Sequence, residues 1–543
     1  MVHGIEEFTD EQTKLLEHFV TSTTSNVFVL RNLPEVIKGA LFSRYSRSAL
    51  GLRSLLMKEF ILNEDTSFAN IVGKYTDSDS AQEQTSAIQK AQNFYDRILD
   101  GFGDDSIGEL GGAHLAVEGV SLLATKMIED SRLGGSPLEK STRYIYFDQK
   151  INGQYLFYHE PVLMTSAYRA LYLTTCNDLF ETYSRLIPPL TAHIEQGFPK
   201  EPTISKGAYT AALRAKVLDC LRGLLPASAM TNMGVFGNGR FFETLLQKMN
   251  AHNLAEMQEV GKKAYQELAK VIPSFIRRAD PTHKHHQRLN ECYETMHGEL
   301  RKIAQKHLPR IATPLANGVR LVHSDSDAVA KVAGALLFAY GHAGLHELQR
   351  YCAQMSAEEI SSLFDAASAS RENRRHKSPR ALEHASFTFE IVADFGVYRD
   401  LQRHRILTQE RQLLTCNYGH YLPPEIKGTP MESEYINAMD RAKAAYDSIA
   451  RELPEEAQYV VPIAYNVHWY FNVNLRSLQW ICELRSMAQG HSTYRQIAQE
   501  MARQVCKAFP QFERFFKFVD FGGYQLGRLS AEIRKEEKTK VRV

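Results

Sequence analysis

The densest chemistry in the chain lies in YRDLQRHRILTQER, which carries Arg399, the triplet Arg403-His404-Arg405, and Arg411. Guanidinium forks beside an imidazole suit a phosphate, or an electron-rich ring that becomes anionic. A second set is Glu139-Lys-Ser141-Thr-Arg143-Tyr144. There a hydroxyl and a guanidinium two residues apart can share a phosphate monoester, and Gly134-Gly135 just before them lets the backbone approach closely. Arg222, four residues before Pro226, is a further phosphate ligand by type. Taken singly, each set also reads as a basic turn or a loop entering a strand.

Other polar clusters read more plainly. The run Arg371, Arg374, Arg375, His376, Lys377, Arg380 is expected to be a solvated loop. His283, His285, His286, Cys292 and His297 are spaced side by side rather than on one helical face, so they are expected to form a hydrophilic connector without metal. The sequence has no GxSxG elbow, Walker A loop, Rossmann glycine fingerprint or HExxH motif.

The elements that position these groups repeat along the chain. A Glu precedes a strand-like stretch twice: Glu109 before GGAHLAVEGV, and Glu383 before HASFTFEIV. A proline is followed twelve residues on by Asn-x-Arg, as Pro226 to Asn238-Gly-Arg240 and Pro462 to Asn474-Leu-Arg476. Pro273-Ser-Phe275 and Pro510-Gln-Phe512 close each copy. Three landmarks in register imply a duplication. Its seam is expected near 300–315, giving domains 1–312 and 313–543, the first with an insertion at about 145–210.

FTFEIV alternates as a half-buried strand does. The stretch 474–508 reads as a long helix with Asn474, Leu478, Ile481 and Arg485 on one face; the same offsets in the first copy end on Met249. The expected fold is therefore α+β, two tandem domains, each a small, mainly antiparallel sheet with long helices.

At 543 residues, with 44% hydrophobic and 23% charged residues, the chain has an ordinary globular composition. A formal charge of +1 makes nucleic acid an improbable partner. Seven scattered cysteines without a CxxC pair point to a reducing compartment. The acidic start MVHGIEEFTDEQ has no signal-peptide order. The longest apolar stretch, Ala328 to Tyr340, is too short for a bilayer and reads as a buried helix. A cytoplasmic protein with no membrane contact is expected.

The second copy resembles the flavin-dependent thymidylate synthases, the ThyX family. The resemblance rests on an ordered set: His376-Lys-Ser378-Pro379, Glu383-His384, Arg403-His404-Arg405, Asn474-Leu-Arg476-Ser477-Leu478 and Leu484-Arg485. It covers most of 317–525, and the repeat extends it more weakly over about 30–280. The resemblance implies bound FAD, dUMP as substrate, methylenetetrahydrofolate as one-carbon donor and NADPH as reductant, in a four-subunit assembly with shared sites. It implies that Ser378, Arg403, His404, Arg405, Asn474 and Arg476 hold FAD. Catalytic Arg485 would contact the uracil and favour its ionised form, while Glu139, Ser141, Arg143, Tyr144 and Arg222 would bind dUMP.

The departures from the family pattern are complementary. Copy two lacks Ser-x-Arg-Tyr after its triplet and has Gln458 where the arginine before the proline is expected. Copy one keeps the dUMP set, but by count from Glu109 its triplet has become Glu129-Asp130-Ser131 and its late arginine Met249. The retained residues make one full set per chain. The expectation is a synthase with composite sites, two chains forming a pseudo-tetramer; the alternative is a degenerate relative that binds nucleotide or flavin without turnover.

Overall fold

The computed structural model describes residues 8–45, 48, 50–61, 108–310 and 317–542. The first seven residues, the seam at 311–316 and the 62–107 part of the first copy lie outside them.

In chain order the first copy contributes β1 (Gly112–Ser121), α1 (Leu122–Glu129), β2 (Gly135–Glu139), α2 (Arg169–Gly197), α3 (Lys206–Leu221), β3 (Met230–Asn238), α4 (Gly239–Asn250) and α5 (Lys284–His307). The second contributes β4 (Gly318–Ser324), α6 (Ala328–Phe338), β5 (Ser386–Asp394), α7 (Phe395–Leu401), β6 (Thr408–Arg411), α8 (Glu432–Ile449), β7 (Asn466–Asn474), α9 (Leu475–Arg485), α10 (Ser492–Ala508) and α11 (Leu529–Arg542). A three-stranded sheet has the order β1-β3-β2 and a four-stranded sheet the order β4-β5-β7-β6, beside a small hairpin at Lys150–Ile151 and Gln154–Tyr155. The pairs β2–β3, β4–β5, β5–β7 and β6–β7 are antiparallel, so helices and small antiparallel sheets make an α+β fold. Without β4, the order β5-β7-β6 reproduces β1-β3-β2, so the duplication is visible in the topology.

The landmarks prove to be one local device used twice. Asn238 caps α4, accepting from Phe241 N at 2.9 Å, and Asn474 caps α9, accepting from Ser477 N at 2.9 Å. A short side-chain acceptor here satisfies an otherwise orphaned helix N–H. Two residues past each cap an arginine meets the landmark glutamate: Arg240–Glu109 at 2.8 Å and Arg476–Glu383 at 2.7 Å. Ser121 and Asp394 likewise cap α1 and α7, each accepting at 3.0 Å.

These caps shift one expectation by a residue. Aligned on Ser121 and Asp394, the counterpart of Arg403-His404-Arg405 is Asp130-Ser131-Arg132, not Glu129-Asp130-Ser131. β1 holds one residue more than β5, and its Gly119 sits at φ 66°, where a glycine is at ease.

Three further expectations change. The stretch 474–508 is two helices, because the Ser486 carbonyl accepts from Arg495 Nε at 2.7 Å and His491 starts a new helix by capping Thr493 N. α6 is buried on one face only, with Phe338 and Tyr340 exposed. The histidine-rich connector is the 24-residue α5, capped by His283, with His286 buried. Among the described residues no group of His, Cys, Asp or Glu could hold a metal ion, and no helix is long and apolar enough to cross a membrane.

The chain packs as two compact units that interleave in sequence. The first comprises 1–118, 133–139 and 232–311; the second comprises 119–132, 140–231 and 312–543. Packing therefore does not divide the chain at 312. Residues 140–231 of the first copy fold with the second copy.

The second unit is organised about a local two-fold at Pro226 and Pro462, which form an antiparallel bridge. Ala227 N donates to Val461 O at 2.8 Å and Ile463 N to Leu225 O at 2.9 Å; Ser228 N reaches Tyr459 O and Ala464 N reaches Gly223 O in the same mirrored way. Beside it α2 packs on α8, tied by Arg185–Glu434 and by Arg441–Asp178 at 3.5 Å. On β5, Phe387, Phe389 and Ile391 point inward, as the alternation predicts. Each such burial contributes roughly 2–3 kcal/mol.

Candidate active site

The basic triplet and its neighbours, the turn from Ser141 to Tyr144, and Arg222 all belong to the second unit. The loop after β2 turns tightly: Ser141 Oγ accepts from Arg143 N at 3.2 Å and Ser141 O from Tyr144 N at 3.3 Å. The turn drives Arg143 inward, to 7% exposure. Its guanidinium forks onto Asp219 of α3, with Nε to Oδ1 at 2.6 Å and Nη2 to Oδ2 at 2.8 Å. The same group donates to Tyr494 Oη at 3.2 Å and to the Gln489 carbonyl at 3.3 Å. Burial pushes the Asp219 carboxyl up, but Arg143 more than reverses this and brings it to about 2.

Asp400, on α7, is the second hub. Arg222 Nη1 lies 3.5 Å from its Oδ2 and Arg485 Nη1 lies 4.0 Å from its Oδ1. Burial alone would raise this carboxyl; Arg222, Arg143, Arg485 and Arg403 together hold it below the usual carboxylate range. The Tyr494 ring lies 5.7 Å from the guanidinium carbons of both Arg143 and Arg485. Residues from the two copies thus converge: Arg143, Asp219 and Arg222 from one, Asp400, His404, Arg485 and Tyr494 from the other.

His404 is not the cation that its place in a basic triplet suggests. Arg485 Nε donates to His404 Nε2 at 2.8 Å, so that nitrogen needs a lone pair and the ring is neutral. Burial, and then the Arg485 charge, push its pKa far below 6.5. His491, whose Nε2 lies 3.1 Å from the Asp219 carbonyl, is held to about 3, by burial and then by Arg222. With both rings neutral, Arg143, Arg222 and Arg485 face Asp219, Asp400 and Asp394, the last raised by burial to about 6, so these six charges balance near neutral pH.

The two copies differ sharply at equivalent positions. Arg222 is buried, and its Nη2 has no acceptor. Its counterpart Gln458 is satisfied at both ends: Oε1 accepts from Leu414 N at 3.1 Å and Arg411 Nη1 at 3.3 Å, and Nε2 donates to Glu455 O at 2.9 Å. Strand register gives a second comparison. Glu139 lies opposite Met233, five residues before Asn238, and Arg411 lies opposite Trp469, five before Asn474. Leu413 and Thr415 therefore stand where copy one has Ser141 and Arg143. At the triplet's counterpart, Asp130 accepts from Gln402 and from Tyr398 Oη at 3.4 Å, closing a network of its own. Met249, the counterpart of Arg485, is core in the first unit.

The remaining expected residues are placed as follows. Glu139 is buried at the end of β2, in the first unit, whereas Ser141, Arg143, Tyr144 and Arg222 are in the second. Tyr144 is exposed, and Arg528 stacks on its ring at 4.1 Å. Arg403 and Arg405 are exposed, and Arg403 Nε lies 3.7 Å from Glu129. Ser378 is buried, with its hydroxyl lacking a partner and its carbonyl accepting from Arg476 Nε at 2.9 Å. Arg371, expected in a solvated loop, is buried and forks onto Glu483 at 3.0 and 2.7 Å.

Sequence reasoning missed Asp219, Asp400, Tyr494 and His491. The two acids stand three residues before Arg222 and before Arg403, a repeated acid–cation spacing that could have drawn attention.

The profile described as "Thymidylate synthase complementing protein" matches the chain twice, over residues 63–274 and 320–511. The chain belongs to that family, in a tandem form. A UPF0159 protein of Chlamydia muridarum is 53% identical over 530 residues, covering 98% of this chain and 99% of its own. A UPF0159 protein of Thermoplasma acidophilum is 33% identical over 92% of this chain and 99% of its own. A flavin-dependent thymidylate synthase of Clostridium tetani is 28% identical over 211 residues, which is 34% of this chain and 80% of that protein.

Proposed function

We propose that this chain is a flavin-dependent thymidylate synthase, which reductively methylates dUMP to dTMP with methylenetetrahydrofolate and NADPH as co-substrates. The observation that carries the reading is the meeting of Arg143 and Arg222 with Asp400, His404 and Arg485 in one compact unit. In this reading Ser141, Arg143 and Arg222 take the phosphate of dUMP, with Tyr144 completing the substrate set within the second unit. The orphaned Nη2 of Arg222 supports this, since a buried donor without an acceptor is costly unless a ligand supplies one.

The fit to FAD rests on Ser378, whose buried hydroxyl has no partner, and on the exposed guanidinia of Arg403 and Arg405. Ser378, Arg403, His404, Arg405, Asn474 and Arg476 would hold the cofactor. Bound and reduced, it supplies the hydride that completes the methyl group. Arg485 stabilises negative charge developing on the pyrimidine, an electrostatic effect of about 3–4 kcal/mol in a dry site. Neutral His404 positions that guanidinium by accepting from its Nε, leaving the Nη groups to face substrate and Asp400.

No thiol nucleophile enters this reading. Cys416 and Cys482 are buried, and burial pushes both thiols well above 9. Two chains would assemble four domains, with one complete site per chain.

The test is dTMP formation from labelled dUMP by the flavin-loaded protein. Arg143→Ala and Arg405→Ala should each be inactive and stay inactive when mixed; recovery on mixing would place the two halves in different chains. A second reading, binding without turnover, draws on the clamp of Asp219 over Arg143, which occupies a guanidinium the phosphate needs. It predicts a yellow protein that binds dUMP and makes no dTMP.

A further inference from the structure

Residues beyond 511 lie outside both family-matched segments, yet within the second unit they return to the site. The segment 520–528 is clasped to the turn that follows Arg485. Asp520 N donates to Ser486 Oγ at 2.9 Å, Gln499 Nε2 to Asp520 O at 2.7 Å, and Arg495 Nη2 to Gly522 O at 2.8 Å. At Gly527 the strap passes so close to the Ala488 carbonyl that any side chain would collide with it. α11 then docks on α3, with Ser205 Oγ donating to Glu536.

Under this strap lies a small polar cavity of about 30 Å³, lined by Arg143, Lys216, Asp219, Glu425, His491 and Arg528 among others. Lys216 and Glu425 pair with each other, as do Arg143 and Asp219. Arg528 is different. It stacks on Tyr144 at 4.1 Å and meets Glu532 through Nη2 at 3.2 Å, but its Nε is buried without an acceptor. A buried guanidinium N–H left unpaired beside a polar cavity marks the place of a missing oxygen.

We infer that Arg528 is a further anion-binding residue of the site, taking a phosphate oxygen alongside Arg143, and that the 520–528 strap closes over the bound group. Naming that group as the phosphate of dUMP rests on the proposed function; the anion site itself does not. The tail thereby adds to this tandem form a ligand that neither family-matched segment contains.

The experiment titrates inorganic phosphate and dUMP separately into the full-length wild-type protein and into the Arg528→Gln and Arg528→Lys variants. Binding is followed by calorimetry, with circular dichroism confirming the fold. Arg528→Gln should weaken both ligands by about 10- to 100-fold, the worth of one charge-assisted hydrogen bond, and Arg528→Lys should recover part of the loss. Phosphate binding by Arg528→Gln equal to wild type overturns the inference, as does a wild-type protein that takes no phosphate. If Arg528→Gln fails to fold, Arg528→Lys decides: its rigid fork lost, it must bind phosphate more weakly than wild type, or the inference falls. Wild type that binds phosphate but not dUMP keeps the anion site and removes the thymidylate reading.

Discussion

Replacing Arg222 with Gln gives the retained half of the site the residue that its counterpart already carries at 458. At 3.5 Å from Asp400, the Arg222 charge is worth about 5 kcal/mol of Coulomb attraction at an effective dielectric near 20. Desolvation offsets most of that, and Arg485 and Arg143 still face Asp400, so a net stability loss of about 1–3 kcal/mol is expected. Ligand binding should suffer on its own account. A guanidinium donor to phosphate contributes about 1.5–3 kcal/mol, so dUMP should bind roughly 10- to 100-fold more weakly, while deoxyuridine, lacking the phosphate, should be little affected. Urea unfolding gives the first quantity and calorimetric titration of the two ligands the second. A variant that keeps wild-type affinity for dUMP, or loses deoxyuridine equally, contradicts the assignment of Arg222 to the phosphate.

The reverse exchange, Gln458→Arg, strands Leu414 N and buries a charge where Gln458 is fully bonded. It should cost about 2–4 kcal/mol in urea unfolding without creating a second dUMP site. Asp219→Asn leaves Arg143 buried without its carboxylate, and about 3–5 kcal/mol of stability should be lost. His491 titrates at about 3 when folded and near 6.5 unfolded, so its contribution is complete above pH 6.5 and declines as pH falls. Asp394, raised by burial to about 6, changes with the opposite sign, so the comparison needs a reference protein that shares it. Between pH 7.5 and 5 the wild type should lose roughly 2 kcal/mol more than His491→Asn, a variant that can still cap α10; equal losses would remove His491 from the balance. Of the seven cysteines only Cys292 is exposed, so the native protein should give one fast equivalent with a thiol reagent, and Cys292→Ser none.

Much of the fold was legible because its landmarks have local causes. Each Asn is a cap, each following Arg pairs with the Glu at the start of the copy, and each proline sits on the local two-fold, so spacing survives where other residues diverge. The alternation in FTFEIV was readable for the same reason, since inward and outward faces are set by strand geometry. The break at 486–491 was not readable, because it depends on Arg495 and on the tail segment reaching Ser486.

The cations of the site carried a family spacing, while their carboxylate partners did not. Asp219 and Asp400 matter through contacts made across the sequence, which no local pattern encodes. The same holds for the compact units. That 140–231 packs with the second copy follows from the Pro226–Pro462 bridge, a pairing 236 residues apart in the chain. His404 shows the limit most clearly. Its place in a basic triplet suggests charge, but a single bond from Arg485 makes it a neutral acceptor.

The number of dUMP molecules bound per chain by the flavin-loaded protein tests most directly whether the retained halves form one site. One per chain is expected, lost in both Arg143→Ala and Arg485→Ala. Two per chain, or one that survives either substitution, would contradict it.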